Sequence, residues 1–179
     1  MNGKRIVAIV VVLAALPLAM AFAAGGISWG EQYILPEYPE LANYDTQSSF
    51  TAVYGYSVTR YGMRSGGFAL GVHAPDDPCS MEGGFIGAIS GQELRAGPFT
   101  VAVDLWTGIG GVRRWDGMHD GNLALFGQAE LELGFRVFPG MRVAGYAGMQ
   151  AIADILSWHP LSAAVYYTPV AGLRLAWGR

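Results

Sequence analysis

The stretch that decides the fold is 127-GQAELELGFRVFPGMRVAGYAGMQ-150. Two alternating runs flank a Pro-Gly pair. Ala129, Leu131, Leu133, Phe135 and Val137 share one parity; Gln128, Glu130, Glu132 and Arg136 share the other. After Pro139-Gly140, Val143, Ala147 and Met149 alternate with Arg142, Tyr146 and Gln150. A period of two residues marks an extended strand with one apolar and one polar face, and Pro-Gly between two such runs marks a hairpin. The open question is which face of this hairpin looks inward.

Working outward, the same alternation recurs along the chain. Phe50, Ala52, Tyr54, Tyr56 and Val58 oppose Thr51, Gly55, Ser57 and Thr59. Phe68, Leu70 and Val72 oppose Gly67, Ala69, Gly71 and His73. Phe99, Val101, Val103 and Leu105 oppose Thr100, Ala102, Asp104 and Trp106. Val165, Tyr167, Leu173, Leu175 and Trp177 oppose Tyr166, Thr168, Gly172 and Arg174. The run GGFIGAISG is apolar on both faces, and a weaker strand spans Ile27 to Ile34, which makes eight strands in all. Connections at Arg60–Ser65, Gly91–Pro98 and Phe138–Met141 are short, and those at Leu35–Gln47, Ala74–Glu82, Thr107–Gly121 and Ile152–Leu161 are long. Short and long take turns, as in an up-and-down meander whose long loops all leave one end. Acids gather in the long loops and arginines near the short turns, with Arg113, Arg114 and Glu93 as exceptions.

Composition bears on the surroundings. Of 179 residues, 52% are hydrophobic and 14% charged, well below the roughly 25% charged of a typical soluble domain. Lys4 and Arg5 precede an apolar run that ends in small residues, the form of a secretory signal, and a membrane-anchoring helix is the competing reading. The expected organisation is a signal peptide over 1–24 and a barrel domain over 25–179. Without Lys4 and Arg5, nine basic residues face 14 acids, a net charge of 9 − 14 = −5. That sign argues against nucleic acid as a partner. Cys79 is the single cysteine, so no internal disulfide is available.

Two readings of the faces compete. In a soluble barrel or sandwich the bulky apolar parity packs inside; in a membrane barrel it meets lipid and the other parity fills the interior. The second parity is small and poor in charge, which suits a narrow interior better than a wetted surface. The expectation is therefore that the bulky parity points outward on every strand. Hydrocarbon also demands closure, because unpaired backbone groups there cost several kcal/mol, and about eight strands is the smallest usual closed number. The predicted fold is all-β: a closed, up-and-down, antiparallel eight-stranded transmembrane β-barrel. Glu31 shares the parity of Trp29, Pro169 interrupts the last strand, and both strain this picture; a bulge could accommodate the proline.

In this pattern the chain resembles the small outer-membrane barrels of the OmpA/OmpX-like class. The carboxy-terminal GLRLAWGR resembles that class's assembly signal through Gly172, Leu175 and Trp177, although Val170 stands where a polar residue is usual and Gly178 and Arg179 trail the aromatic. The resemblance implies residence in the cell outer membrane, contact with outer-membrane lipid, insertion by the barrel-assembly machinery and a monomeric state.

The expected interior polar network is Asp104, Gln128, Glu130, Glu132, Arg136, Arg142, Tyr146 and Arg174, with Gln150 beside it; carboxylates so enclosed must be paired. The expected role is structural or surface-interacting and non-catalytic, with no cofactor and no metal. The alternatives are a narrow channel for small solutes, a lipid-modifying enzyme and a soluble periplasmic ligand-binding barrel. Ser157, His159 and Ser162 near Asp154 offer nucleophile and base types, but no motif orders them. His73, Asp76, Asp77 and His119 lack diagnostic metal spacing. Trp106, Trp115 and Trp158 at one end, and Trp29 and Trp177 at the other, are read as interfacial girdles.

Overall fold

A computed structural model describes residues 24–33, 47–73, 81–114, 122–155 and 165–178. They form eight strands: β1 (Ala24–Tyr33), β2 (Gln47–Val58), β3 (Met63–His73), β4 (Met81–Ala96), β5 (Phe99–Arg114), β6 (Asn122–Phe138), β7 (Met141–Asp154) and β8 (Val165–Gly178). Every strand pairs antiparallel with its sequence neighbours, and β1 closes on β8 through Ala24↔Gly178 to Gln32↔Val170. The result is a closed up-and-down barrel with no free sheet edge, and the weak first strand is a full member of it.

Turn chemistry fixes the registers at the short-turn end. Pro139-Gly140 joins Phe138 to Met141 in two residues, with Gly140 at φ 84°. Proline presets the first corner of such a turn, and glycine takes the positive φ of the second. Gly97-Pro98 makes an equally tight link between β4 and β5, since Ala96 pairs with Phe99. The expected connection Gly91–Pro98 is largely strand, and Arg60–Ser65 is strand from Met63 on, so they deliver Glu93 and Arg64 to the interior. Pro169 needs no bulge: pairing of β8 with β1 ends at Gln32↔Val170, so a donor missing on that side leaves no ladder bond unmade. Among the described residues the one register shift lies elsewhere, between Arg136 and Phe138.

The outward bulky parity holds on β1, where Trp29 is exposed and Ser28 buried, and on β5 to β8, and it fails on β2 and β3. On β5 to β8, Phe99, Val101, Val103, Leu105, Leu131, Leu133, Phe135, Val143, Met149, Tyr167, Leu173 and Trp177 are exposed, Phe99 and Leu133 at 59% each. On β2 and β3 the parity is reversed: Phe50, Ala52, Tyr54, Tyr56, Phe68, Leu70 and Val72 are buried inside, while Thr51, Ser57 and Ser65 face out. Arg64 lies on the parity of Phe68, which ties that face to the interior where its carboxylate partners are. In β4 the two-faced apolar run resolves into Phe85 and Ile89 inside and Ile86 outside.

Candidate functional site: a charged and aromatic barrel interior

The interior has two layers. Towards the long-loop end, Phe68, Phe85, Trp106 and Phe126 form an aromatic cluster. Phe68 lies 4.9 Å from Trp106 and 5.5 Å from Phe126, ring centre to ring centre, and Phe85 lies 5.1 Å from Phe126. Leu70, Val72 and Ile152 are buried in the same cluster. Trp106 is 1% exposed, so it belongs to this core and not to an interfacial girdle. Trp29 and Trp177 do lie on the outer surface.

Towards the short-turn end the interior is ionic. Glu93 on β4, Asp104 on β5, and Glu130 and Glu132 on β6 are buried carboxylates. Alternation places Glu130 and Glu132 two residues apart on one inward face, and pairing sets Asp104 directly beside Glu130. Arginines arrive from the opposite wall and from both flanks. Arg64 Nη2 reaches Glu93 at 2.5 Å and Glu132 at 2.9 Å, and its Nη1 reaches Asp104 at 2.5 Å. Arg142 Nη2 reaches Glu132 at 3.0 Å and its Nη1 reaches Glu93 at 3.2 Å. Arg174 Nη1 reaches Glu132 at 2.9 Å, and its Nη2 donates to Glu130 at 2.7 Å. Glu132 is thus shared by three guanidinium groups and is fully enclosed. Arg95, at the rim, pairs with Glu93.

Rings and amides complete the network. The Arg174 guanidinium lies 4.1 Å from the ring centre of Tyr146 and 4.5 Å from that of Trp106, and Arg64 lies 4.6 Å from Tyr56. Desolvated contacts of this kind are worth about 2 kcal/mol or more. Gln128 donates to Glu130 at 2.5 Å, Arg174 Nε donates to Ser28 at 3.3 Å, and Ser28 donates to the Tyr146 hydroxyl at 3.2 Å. Tyr146 in turn donates to the Trp29 carbonyl across β1. The Tyr146 hydroxyl fits only because Gly30 and Gly172 face it; a Cβ on either would collide with it. Gly172, read from the sequence as part of an assembly signal, thus has a packing reason of its own.

Of the expected network, Asp104, Gln128, Glu130, Glu132, Tyr146 and Arg174 are buried in the barrel with Gln150, and Arg142 is half-buried among them. Arg136 is the correction. It is exposed at the short-turn rim, beyond the reach of the interior acids, because β6 emerges from the barrel as it approaches the Pro139 turn. Arg64, Glu93, Ser28, Tyr54 and Tyr56 are the members that sequence reading missed. Leu175 and Trp177 lie on the outward parity of β8, with Trp177 exposed.

Asp104, Glu130 and Glu132 bring carboxylate oxygens within 4.8 Å of one another. Arg64, Arg142 and Arg174 already pair with these carboxylates, leaving Asp104 Oδ1 as the oxygen without a hydrogen-bond partner, so the cluster is built as an ion-pair network. The segment 1–23, Cys79, His119, His159, Ser157, Ser162, Trp115 and Trp158 lie outside the described residues, as do the side chains of His73 and Asp154.

The geometry defines a class: a closed eight-stranded barrel whose interior is filled by packed aromatic rings and a neutralised ionic network. No protein-family model, curated protein or solved structure matches this chain.

Proposed function

We propose that this protein is an exported barrel that spans the outer membrane, contacts lipid through β5 to β8, and serves a structural or surface-interaction role without catalysis. The observation that carries the reading is the inversion of ordinary burial on those strands. Leu131, Leu133 and Phe135 stand on the exterior while Glu130 and Glu132, on the alternate positions of the same strand, are sealed inside. Water would favour the opposite arrangement, since apolar surface gains about 25 cal/mol per Å² on leaving water and unpaired carboxylates lose heavily. A closed ladder suits hydrocarbon because no backbone group is left unpaired. Glu31, outward and exposed on β1, lies two residues from the strand's long-loop end in the Ala24–Tyr33 span. A charge near an interface costs about 0–1 kcal/mol.

Leader-directed export, assembly through the Gly172–Trp177 segment and a monomeric state belong to the same proposal. Fractionation of cells producing the full chain tests it. The protein should sediment with outer membranes, resist extraction by carbonate, and migrate differently on gels with and without boiling. Recovery in the soluble periplasmic fraction would refute the membrane reading.

A further inference from the structure

The short-turn mouth of the barrel holds an arginine-lined hollow of about 220 Å³ that borders the interior network: Arg95 and Arg142 also pair with Glu93, and Arg136 does not. Its walls include Arg95 from β4, Arg136 from β6, Arg142 from β7, the Thr100 side of β5 and the Pro139-Gly140 turn. Arg136 and Arg142 are direct cross-strand partners. Like charges so placed repel; Glu93 and Glu132 compensate Arg142, and among the described residues the charge of Arg136 is the one left at the mouth. The Arg136 backbone is fixed by its N–H, which donates to the Pro98 carbonyl at 2.8 Å, so the rim that carries this charge is itself held.

The interior acids do not neutralise the mouth. Glu93, Asp104, Glu130 and Glu132 are matched by Arg64, Arg95, Arg142 and Arg174. Glu93 is the acid nearest the hollow; its side chain is fully buried, and three arginines already share its oxygens. Among the described residues no carboxylate pairs with Arg136, which leaves positive charge facing outward. The Arg95 side chain is 43% exposed, so its guanidinium is open to a second partner. Arg136 and the part-exposed Arg95 line one small concavity together with Thr100, and guanidinium and hydroxyl groups so gathered match the oxygens of a tetrahedral anion, to which arginine donates paired, charge-assisted hydrogen bonds.

We propose that this hollow binds a phosphate group, carried by a phospholipid headgroup or present as free inorganic phosphate. The site rests on barrel geometry alone and goes beyond the proposed membrane role. The inorganic-phosphate arm of its test needs no bilayer, so the two proposals can fail separately.

The full chain, folded in uncharged maltoside micelles, is titrated calorimetrically with inorganic phosphate and, separately, with a short-chain phosphatidylglycerol. Saturable binding is expected in at least one arm. Binding by the lipid alone identifies a headgroup site, and binding by inorganic phosphate alone identifies a free-anion site. Arg136→Gln should weaken the affinity by about tenfold, the loss expected for one charged hydrogen-bonding group. Arg60→Gln removes a rim charge outside the hollow and should leave the affinity unchanged. The boiling-dependent gel shift verifies that each variant is folded. Absence of saturable binding in both arms, undiminished affinity in Arg136→Gln, or an equal loss in Arg60→Gln would overturn the proposal, the last by showing diffuse surface charge in place of a site.

Discussion

At the scale of single residues, Glu132 and Arg174 show why this interior is exacting. Glu132 takes hydrogen bonds or ion pairs from Arg64, Arg142 and Arg174, and Arg174 also serves Glu130 and lies against Tyr146 and Trp106. A buried ion pair adds little over a well-packed apolar pair, yet removal of one partner strands the other and costs about 3–5 kcal/mol. Arg174→Met should therefore destabilise the fold by about that amount and lower the urea midpoint of unfolding followed by tryptophan fluorescence. Adding Glu130→Gln to Arg174→Met should restore part of the loss, because one stranded charge disappears; strictly additive losses would show that the two groups are uncoupled. The sequence made Glu130, Glu132 and Arg174 legible, since charge on an alternating strand has to face an enclosed side here. It hid Arg64 and Glu93, because each lies within a few residues of a glycine or proline that reads as a turn signal.

At the scale of strands, parity is the informative variable. β6 reads cleanly because its two faces differ in charge, with Leu131 and Leu133 set against Glu130 and Glu132. On β2 and β3 the contrast is between bulky and small residues, which does not by itself say which face is in. The inward assignment follows from Arg64, which shares a face with Phe68, Leu70 and Val72, only once the fold brings it to Glu93, Asp104 and Glu132. The proposed bilayer contact of β5 to β8 has a direct check. Leu131→Arg, near the middle of β6 on the outer face, should cost about 2–4 kcal/mol in folding into lipid vesicles. Ser57→Arg, outward and close to the short-turn end of β2, should cost about 0–1 kcal/mol. Equal, negligible costs at both positions would mean that the face of β6 does not meet hydrocarbon.

At the scale of the whole molecule, closure and filling act together. The aromatic cluster of Phe68, Phe85, Trp106 and Phe126 blocks the long-loop half of the interior, and the ion-pair network fills the other half. A barrel plugged in this way should show no discrete conductance steps in planar bilayers, and regular steps from the purified full chain would favour the channel alternative. The sequence by itself determined the number of strands, their up-and-down order and the burial of the β6 charges, because each follows from local periodicity, turn residues and the cost of an unpaired charge. Only the tertiary structure decided which way β2 and β3 face, that Arg64 and Glu93 join the network, and that Arg136 stays outside it. Those outcomes depend on how eight registers close around one small volume. Once the Glu130–Glu132 pair occupies the interior, arginines on distant strands must meet it there, and the large rings that share their parity are carried inward with them.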